Sequence, residues 1–272
     1  MKITSVIENT SRLGLPTEHG LSLYIQSRDG RNILFDMGQG CLFAENAKRL
    51  GLSIADVETA IVSHGHYDHG GGLGTFLELN RKAKVYIHND AFLPHYSLRD
   101  KALAYIGIEK KLQGNERIML CDSITKIDND MLLFADVHGE SCRPSGNKLL
   151  FGPDKKENDT FSHEQNLIIQ EDDKIVLLAG CAHNGILNII RKAEEVIGNT
   201  PTHVLGGMHL VKSALSADNE SNYIESLGKE LAAFSNCKFY TMHCTGTEQY
   251  RKLKDIMGNQ IHYLSCGDSI TI

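Results

Sequence analysis

The run Val57–Ser63, VETAIVS, has the length and apolar content of a buried strand. It delivers the chain straight into SHGHYDHGGG, where His64, His66, Asp68 and His69 fall within six residues. A strand that ends on a polar, glycine-rich turn and is followed by helical periodicity over Leu73–Asn80 is one strand–loop–helix unit of an α/β protein. Similar units surround it. Leu21–Gln26 and Asn32–Met37 read as strands joined by the turn SRDGR, Phe43–Leu50 as a helix stopped by Gly51, and Lys84–His88 as a strand. Further on, Asn166–Gln170 and Lys174–Ala179 read as strands across the turn EDD, and Gly185 opens a helix to about Ile197. His203–Gly206 and Lys238–Met242 read as strands, and Ser221–Phe234 and Thr247–Met257 as helices. His262–Ser265 and Ser269–Ile272 are expected to close the chain as a β pair around the turn CGD. Each half thus holds strands first and strand–helix units after. Two such halves predict an α/β fold, a four-layer αββα sandwich with sheet on sheet and helices outside. No shift of composition marks a boundary, so residues 1–272 are expected to form one domain, with residues 90–160 as an elaboration or lid.

Composition narrows the function classes. The chain has 272 residues and a net charge of −6 with no Trp, which argues against a large nucleic-acid footprint. The longest apolar stretch, Ile175–Ala182, is eight residues. A bilayer span needs roughly 20. The opening MKITSVIENT lacks the apolar core of a signal peptide. With seven scattered Cys, this predicts a cytoplasmic protein whose thiols are not paired in disulfides. Neither a membrane nor a nucleic acid is expected as partner, and the sequence leaves the oligomeric state open. The 13 His are about twice what such a length usually carries, and their positions are informative.

Alternation sets His64 and His66 on one side of an extended segment leaving a strand end. Asp68 and His69 follow as the chain turns into Gly70, Gly71 and Gly72. Three imidazoles and a carboxylate this close offer nitrogen and oxygen ligands that suit zinc, with iron or manganese as alternatives. The glycines allow a sharp turn, and their N–H groups precede a helix and can face an anion. More distant histidines fall at comparable strand ends, where α/β sheets place their ligands. These are His183 in LLAGCAHNG, His243 in YTMHCTG and His209 in VLGGMHL.

On these stretches, with EHGLSLYI, NILFDMGQG, IVSHGHYDHGGGL and the closing CGDSITI, the chain resembles the metallo-β-lactamase superfamily. It most resembles the branch named for 7,8-dihydropterin-6-methyl-4-(β-D-ribofuranosyl)-aminobenzene-5′-phosphate synthase. The matching stretches span nearly the whole chain. The resemblance implies two divalent metal ions, zinc foremost, one held by His64, His66 and His183 and the other by Asp68, His69 and His243. Two positions depart from the superfamily's pattern. His163, in SHEQNLII, stands where a first-metal histidine usually lies, and Cys181 stands near the usual bridging Asp. His163 therefore competes with His183 as a ligand. Cys181 reads either as a thiolate ligand or as a small buried residue. Asp36 is expected to orient ligand imidazoles, and His19 to line the pocket. His88, His95, His138, His203 and His262 read as surface or core histidines.

The reaction that the resemblance implies is hydrolysis of a small ester, lactone or phosphate ester by a metal-bound hydroxide. In it Asp68 accepts a hydrogen bond from the hydroxide. His209 reads either as a donor to the substrate's oxygen or as a satisfied core histidine, and the leaving group falls to His209 or to the second metal. The branch name implies a different class, a pterin–aminobenzene condensation with loss of pyrophosphate. An iron redox enzyme is a further alternative. Redox members, however, generally carry a carboxylate at the position of His66 and an added flavodoxin-like module. A non-enzymatic binding module fits less well, because all four residues of the His64–His69 cluster are present. Lys101, Lys110, Lys111 and Arg143 are placed either to meet an anionic small-molecule substrate or to form a solvated face.

Overall fold

Aliphatic and β-branched runs become strands, and the longest of them are buried on both faces. In the computed structural model, which describes residues 1–211 and 214–272, the chain divides into two compact units. The first comprises Met1–Asp122 with Leu264–Ile272, and the second Ser123–Tyr263.

The first unit is built on a seven-stranded sheet. Its strands are β1 (Lys2–Ile7), β2 (Ser22–Gln26), β3 (Asn32–Phe35), β4 (Thr59–Val62), β5 (Lys84–His88), β8 (Ile118–Cys121) and the chain's last strand, β17 (Ser269–Thr271). The order is β17-β1-β2-β3-β4-β5-β8. Pairing is antiparallel from β17 to β3 and parallel from β3 to β8. Helices α1 (Leu42–Arg49) and α3 (Leu73–Leu79) bury Phe43, Ala47, Leu73 and Phe76 in a cluster with Leu34, Ala60, Val62 and Val85 of the sheet. Burying a side chain of the Leu or Phe class stabilises by about 1.5–3 kcal/mol. A four-residue helix, α2 (Tyr67–Gly70), carries Asp68 and His69. The hairpin of β6 (Tyr96–Arg99) and β7 (Ala102–Tyr105) turns on Asp100 and Lys101, both at positive φ. Its trailing segment is stitched to the loop after β4, with Tyr67 N donating to Ile106 O at 2.8 Å.

The second unit repeats this plan. Its strands are β9 (Ile124–Lys126), β10 (Met131–Phe134), β12 (Asn166–Glu171), β13 (Lys174–Leu178), β14 (His203–Gly206), β15 (Lys238–Thr241) and β16 (Ile261–Tyr263). They lie in the order β16-β15-β14-β13-β12-β10-β9, and a two-residue strand, β11 (Leu150–Phe151), precedes β12. Here β9 to β13 pair antiparallel and β13 to β16 parallel. Helices α4 (Ile186–Ile197), α5 (Ala217–Ala232) and α6 (Thr247–Met257) cover one face. Helix α4 buries Ile186, Leu187, Ile189, Ile190 and Ala193 at helical spacing and ends on Gly198 in the left-handed region.

The expected α/β class and the strands-then-strand–helix order hold in both units. One expectation is overturned. The last two strands do not pair with each other: β16 closes the second sheet beside β15, whereas β17 joins the first beside β1. Strand β1 adds a further element that MKITSVIENT does not mark, because the segment carries no turn signal of its own. Helix α5 starts at Ala217 rather than Ser221. Its first turn holds Asp218 and Glu220, which favour a helix N-terminus by charge but give no apolar periodicity. Among the described residues no helix is long and apolar enough to cross a membrane.

Candidate metal centre

In each unit the chemistry-bearing side chains gather at the carboxyl ends of the parallel strands, where a sheet's connections open a crevice. In the first unit Asp36 follows β3 and His64 follows β4. Asp36 is fully buried and held at φ 61°. Its Oδ1 accepts Ser63 N at 2.7 Å, and its Oδ2 accepts Ser63 Oγ at 2.8 Å and faces His69 Nδ1 at 2.6 Å. A carboxylate only accepts, so these contacts fix the ring protons. His69 carries its proton on Nδ1, which leaves Nε2 as the lone-pair nitrogen. Ser63 donates to Asp36, so its oxygen takes the His64 Nδ1–H at 2.9 Å, and His64 too presents Nε2 as its lone-pair nitrogen.

That nitrogen lies 3.0 Å from His66 Nδ1, and His69 Nε2 lies 4.0 Å from Asp68 Oδ2. Zinc–ligand bonds of about 2.0–2.2 Å match donors at such spacings. His64, His66, Asp68 and His69 are all buried, as the sequence pattern requires of ligands. His19 Nε2 reaches Asp68 Oδ2 at 3.3 Å from a half-exposed position. Nearby, burial pushes the Glu18 carboxyl up, against the Gln39 N–H that it accepts, and the Asp68 charge adds to the rise.

Glycine is required here by close packing rather than by positive φ. A Cβ at Gly65 would meet Ala91 O and the His95 ring. At Gly71 and Gly72 it would meet the carbonyls of Gln39 and Met37. His95, read from the sequence as a surface or core histidine, is buried and packs edge-on to His66, with ring centroids 5.7 Å apart.

In the second unit His183 follows β13, His209 follows β14 and His243 follows β15. His183 is fully buried and clamped. Its backbone N donates to Glu164 Oε1 at 2.6 Å, and Phe161 stacks on its ring at 4.4 Å with an interplanar angle of 4°. Asn147 Nδ2 donates to His183 O at 2.8 Å, which sets Asn147 Oδ1 toward His183 Nδ1 at 3.0 Å. The His183 proton therefore sits on Nδ1, and Nε2 is again the lone-pair nitrogen. Burial pushes the Glu164 carboxyl up, opposed by the N–H groups of Asn184 and His183.

His209, at φ 46°, packs 4.3 Å from the His183 ring, and its buried Nδ1 has no hydrogen-bond partner among the described residues. Cys181 offers a sulfur within 4.8 Å of ligand atoms of His183 and His209, and also within 4.8 Å of ligand atoms of His243 and Cys244. Burial pushes the Cys244 thiol up, but the Cys181 thiol and the His243 and His209 rings outweigh it and hold Cys244 well below the ordinary range. Gly207 leaves room for the Cys244 sulfur. Cys244, which in sequence belongs to no spaced Cys pair, is brought by the fold within 4.8 Å of ligand atoms of Cys181 and His243. His163 is buried against Asp159, with Nε2 at 3.3 Å from Oδ2. All seven cysteines are free.

This donor set fits divalent ions. Buried imidazoles have their outer nitrogens fixed by oxygen acceptors and their lone-pair nitrogens beside a carboxylate in one unit and beside thiols in the other.

Comparison with known proteins gives the same direction. The family model for the metallo-beta-lactamase superfamily matches residues 15–196. An uncharacterized protein of Methanocaldococcus jannaschii is 30% identical over 262 residues, covering 93% of this chain and 94% of that one. The 7,8-dihydropterin-6-methyl-4-(beta-D-ribofuranosyl)-aminobenzene-5'-phosphate synthase of the same organism is 28% identical over 267 residues, covering 90% of this chain and 88% of that one. The crystal structure of Tm1679, described as a metal-dependent hydrolase of the beta-lactamase superfamily, superposes with a TM-score of 0.79 at 30% identity. It covers 100% of this chain and 99% of that one.

Proposed function

The chain belongs to the metallo-beta-lactamase superfamily, and on that premise we propose that it is a cytoplasmic hydrolase of small esters, lactones or phosphate esters that works with two divalent ions, zinc foremost. Following the family's ligand pattern, His64, His66 and His183 serve one ion, and Asp68, His69 and His243 the other. When bound, such an ion pair acidifies water and polarises the carbonyl or phosphoryl oxygen of a substrate.

What supports this reading is the tautomer that the hydrogen-bond partners assign to three buried imidazoles. Ser63, Asp36 and Asn147 each hold a proton on Nδ1, of His64, His69 and His183 respectively, and each thereby presents Nε2 as a ligand. A core histidine has no need of an acceptor placed so consistently on one ring nitrogen. Asp68 keeps an oxygen near His69 Nε2, and with the ions bound it would accept a hydrogen bond from the attacking water. His209, whose buried Nδ1 lacks a partner among the described residues, is the group proposed to hydrogen-bond the substrate's oxygen or leaving group.

The test is turnover of a panel of chromogenic phosphodiesters, phosphomonoesters and lactones. Activity is expected to vanish in His66→Ala and on chelation, and to return with added zinc. Activity that survives in both His66→Ala and Asp68→Ala contradicts the reading. A condensing synthase is the second reading, favoured by the name of one relative. Release of pyrophosphate, with no hydrolysis across the panel, would select it.

A further inference from the structure

The second unit holds a cavity of about 530 Å³ lined by Arg143, Asn147, Lys148, Asn158, Phe161 and Tyr223, among others. Its volume falls in the range of small-molecule sites, roughly 300–1,000 Å³. The hydrolase reading so far gives it no role. Resting on that reading, we propose that this cavity is the subsite for an anionic group of the substrate, a phosphate or a carboxylate, with Arg143 as its principal recognition residue.

Three observations carry the inference. First, the cavity wall is built from the residues that hold His183. Asn147 bonds both the carbonyl and the ring of His183, and Phe161 stacks on its face. A molecule in the cavity is therefore one side chain away from a proposed ligand.

Second, the wall carries two cations, Arg143 and Lys148, against the carboxylates Glu140 and Asp159, and among the described residues neither cation is held by a buried carboxylate. Lys148 is exposed and has no carboxylate partner among the described residues. Arg143 Nη1 lies 3.4 Å from Glu140 Oε1, at the edge of hydrogen-bond range, and that Glu side chain is 88% exposed, so the pair is weak. The one buried carboxylate of the wall, Asp159, is already engaged by Phe161 N at 2.8 Å and by His163 Nε2 at 3.3 Å.

Third, Arg143 is pre-positioned. Its Nη2 donates to Asn184 Oδ1 at 3.1 Å. Asn184 in turn donates from Nδ2 to Phe161 O at 3.2 Å and to Glu164 Oε2 at 3.0 Å. Glu164 is the carboxylate that receives His183 N. A single scaffold thus fixes both the guanidinium and the imidazole. Asn184 anchors the guanidinium through Nη2, and an oxyanion in the cavity would compete only with the exposed Glu140 for Nη1.

The experiment is calorimetric titration of the full chain, as purified with its metal, with phenyl phosphate, benzoate and phenol. The wild type is compared with Arg143→Met, Arg143→Lys, Lys148→Met and the exposed-surface control Lys174→Met. Any contribution of the metal is common to all five proteins, so the differences isolate the cavity. One of the two anions is expected to bind, and which one it is decides between phosphate and carboxylate. Arg143→Met should weaken that binding about tenfold or more and Arg143→Lys somewhat less. Lys148→Met should weaken it roughly threefold, and Lys174→Met not at all. Equal binding of phenol, unchanged affinity in Arg143→Met, an equal loss in Lys174→Met, or no binding of either anion by the wild type overturns the inference. Circular dichroism confirms that the variants are folded. Anion binding of the expected pattern without turnover of any ester would leave the subsite standing and remove the hydrolase reading. Turnover in which anionic esters gain nothing over neutral ones, with no such binding, would do the reverse.

Discussion

Asp36, Ala182, His209 and His243 all lie in the left-handed region, with φ between 46° and 61°, and each follows a parallel strand. Such non-glycine residues cost of order 1–3 kcal/mol apiece and persist where surrounding structure fixes them. At Asp36 the fixing is visible, because three donors converge on one carboxylate. Asp36→Asn must turn an NH2 group toward Ser63 or His69, which sets donor against donor. It is therefore expected to lower zinc affinity by about 10–100-fold, measured by competition with a chromophoric chelator. The thiols give a second check at this scale. Burial, with a smaller contribution from Glu194, pushes Cys237 up to about 12, and burial pushes Cys266 up to about 11. The thiolate is the reactive form, so alkylation of the native protein at pH 8 should label exposed Cys41 and spare Cys237 and Cys266, read by peptide mass spectrometry.

The elements were legible in the sequence where periodicity was strong, and the ends of the site-bearing strands were legible through their histidines. His64, His66 and His69 announced themselves because the proposed ligands and the tight turn share one short segment. Asn147, Phe161 and Glu164 did not. They hold His183 from loops distant in sequence, and an Asn or a Glu in a loop carries no local mark of the imidazole it will meet. The closing strands misled because the turn CGD looks like a hairpin, whereas each strand finds a longer-range partner in a different sheet. At the element scale, helix α4 ends on Gly198 at φ 71° with open space around it, so only backbone conformation resists a side chain there. Gly198→Ala should destabilise the protein by about 1 kcal/mol in urea unfolding, with metal content unchanged. Gly65→Ala meets a carbonyl and the His95 ring instead. It should lower both stability and metal retention, because the segment that joins two proposed ligands must shift.

For the whole molecule, metal and fold should be linked. An ion that binds only the native state stabilises it in proportion to the logarithm of its concentration over its dissociation constant. Chelation should therefore lower the melting temperature, and excess zinc should restore it. The most direct test is elemental analysis of protein purified without chelator, run beside His64→Ala and His243→Ala. The account predicts about two ions per wild-type chain and a loss of about one in each variant. Fewer than about one ion per wild-type chain, or the same metal content in all three proteins, would contradict it.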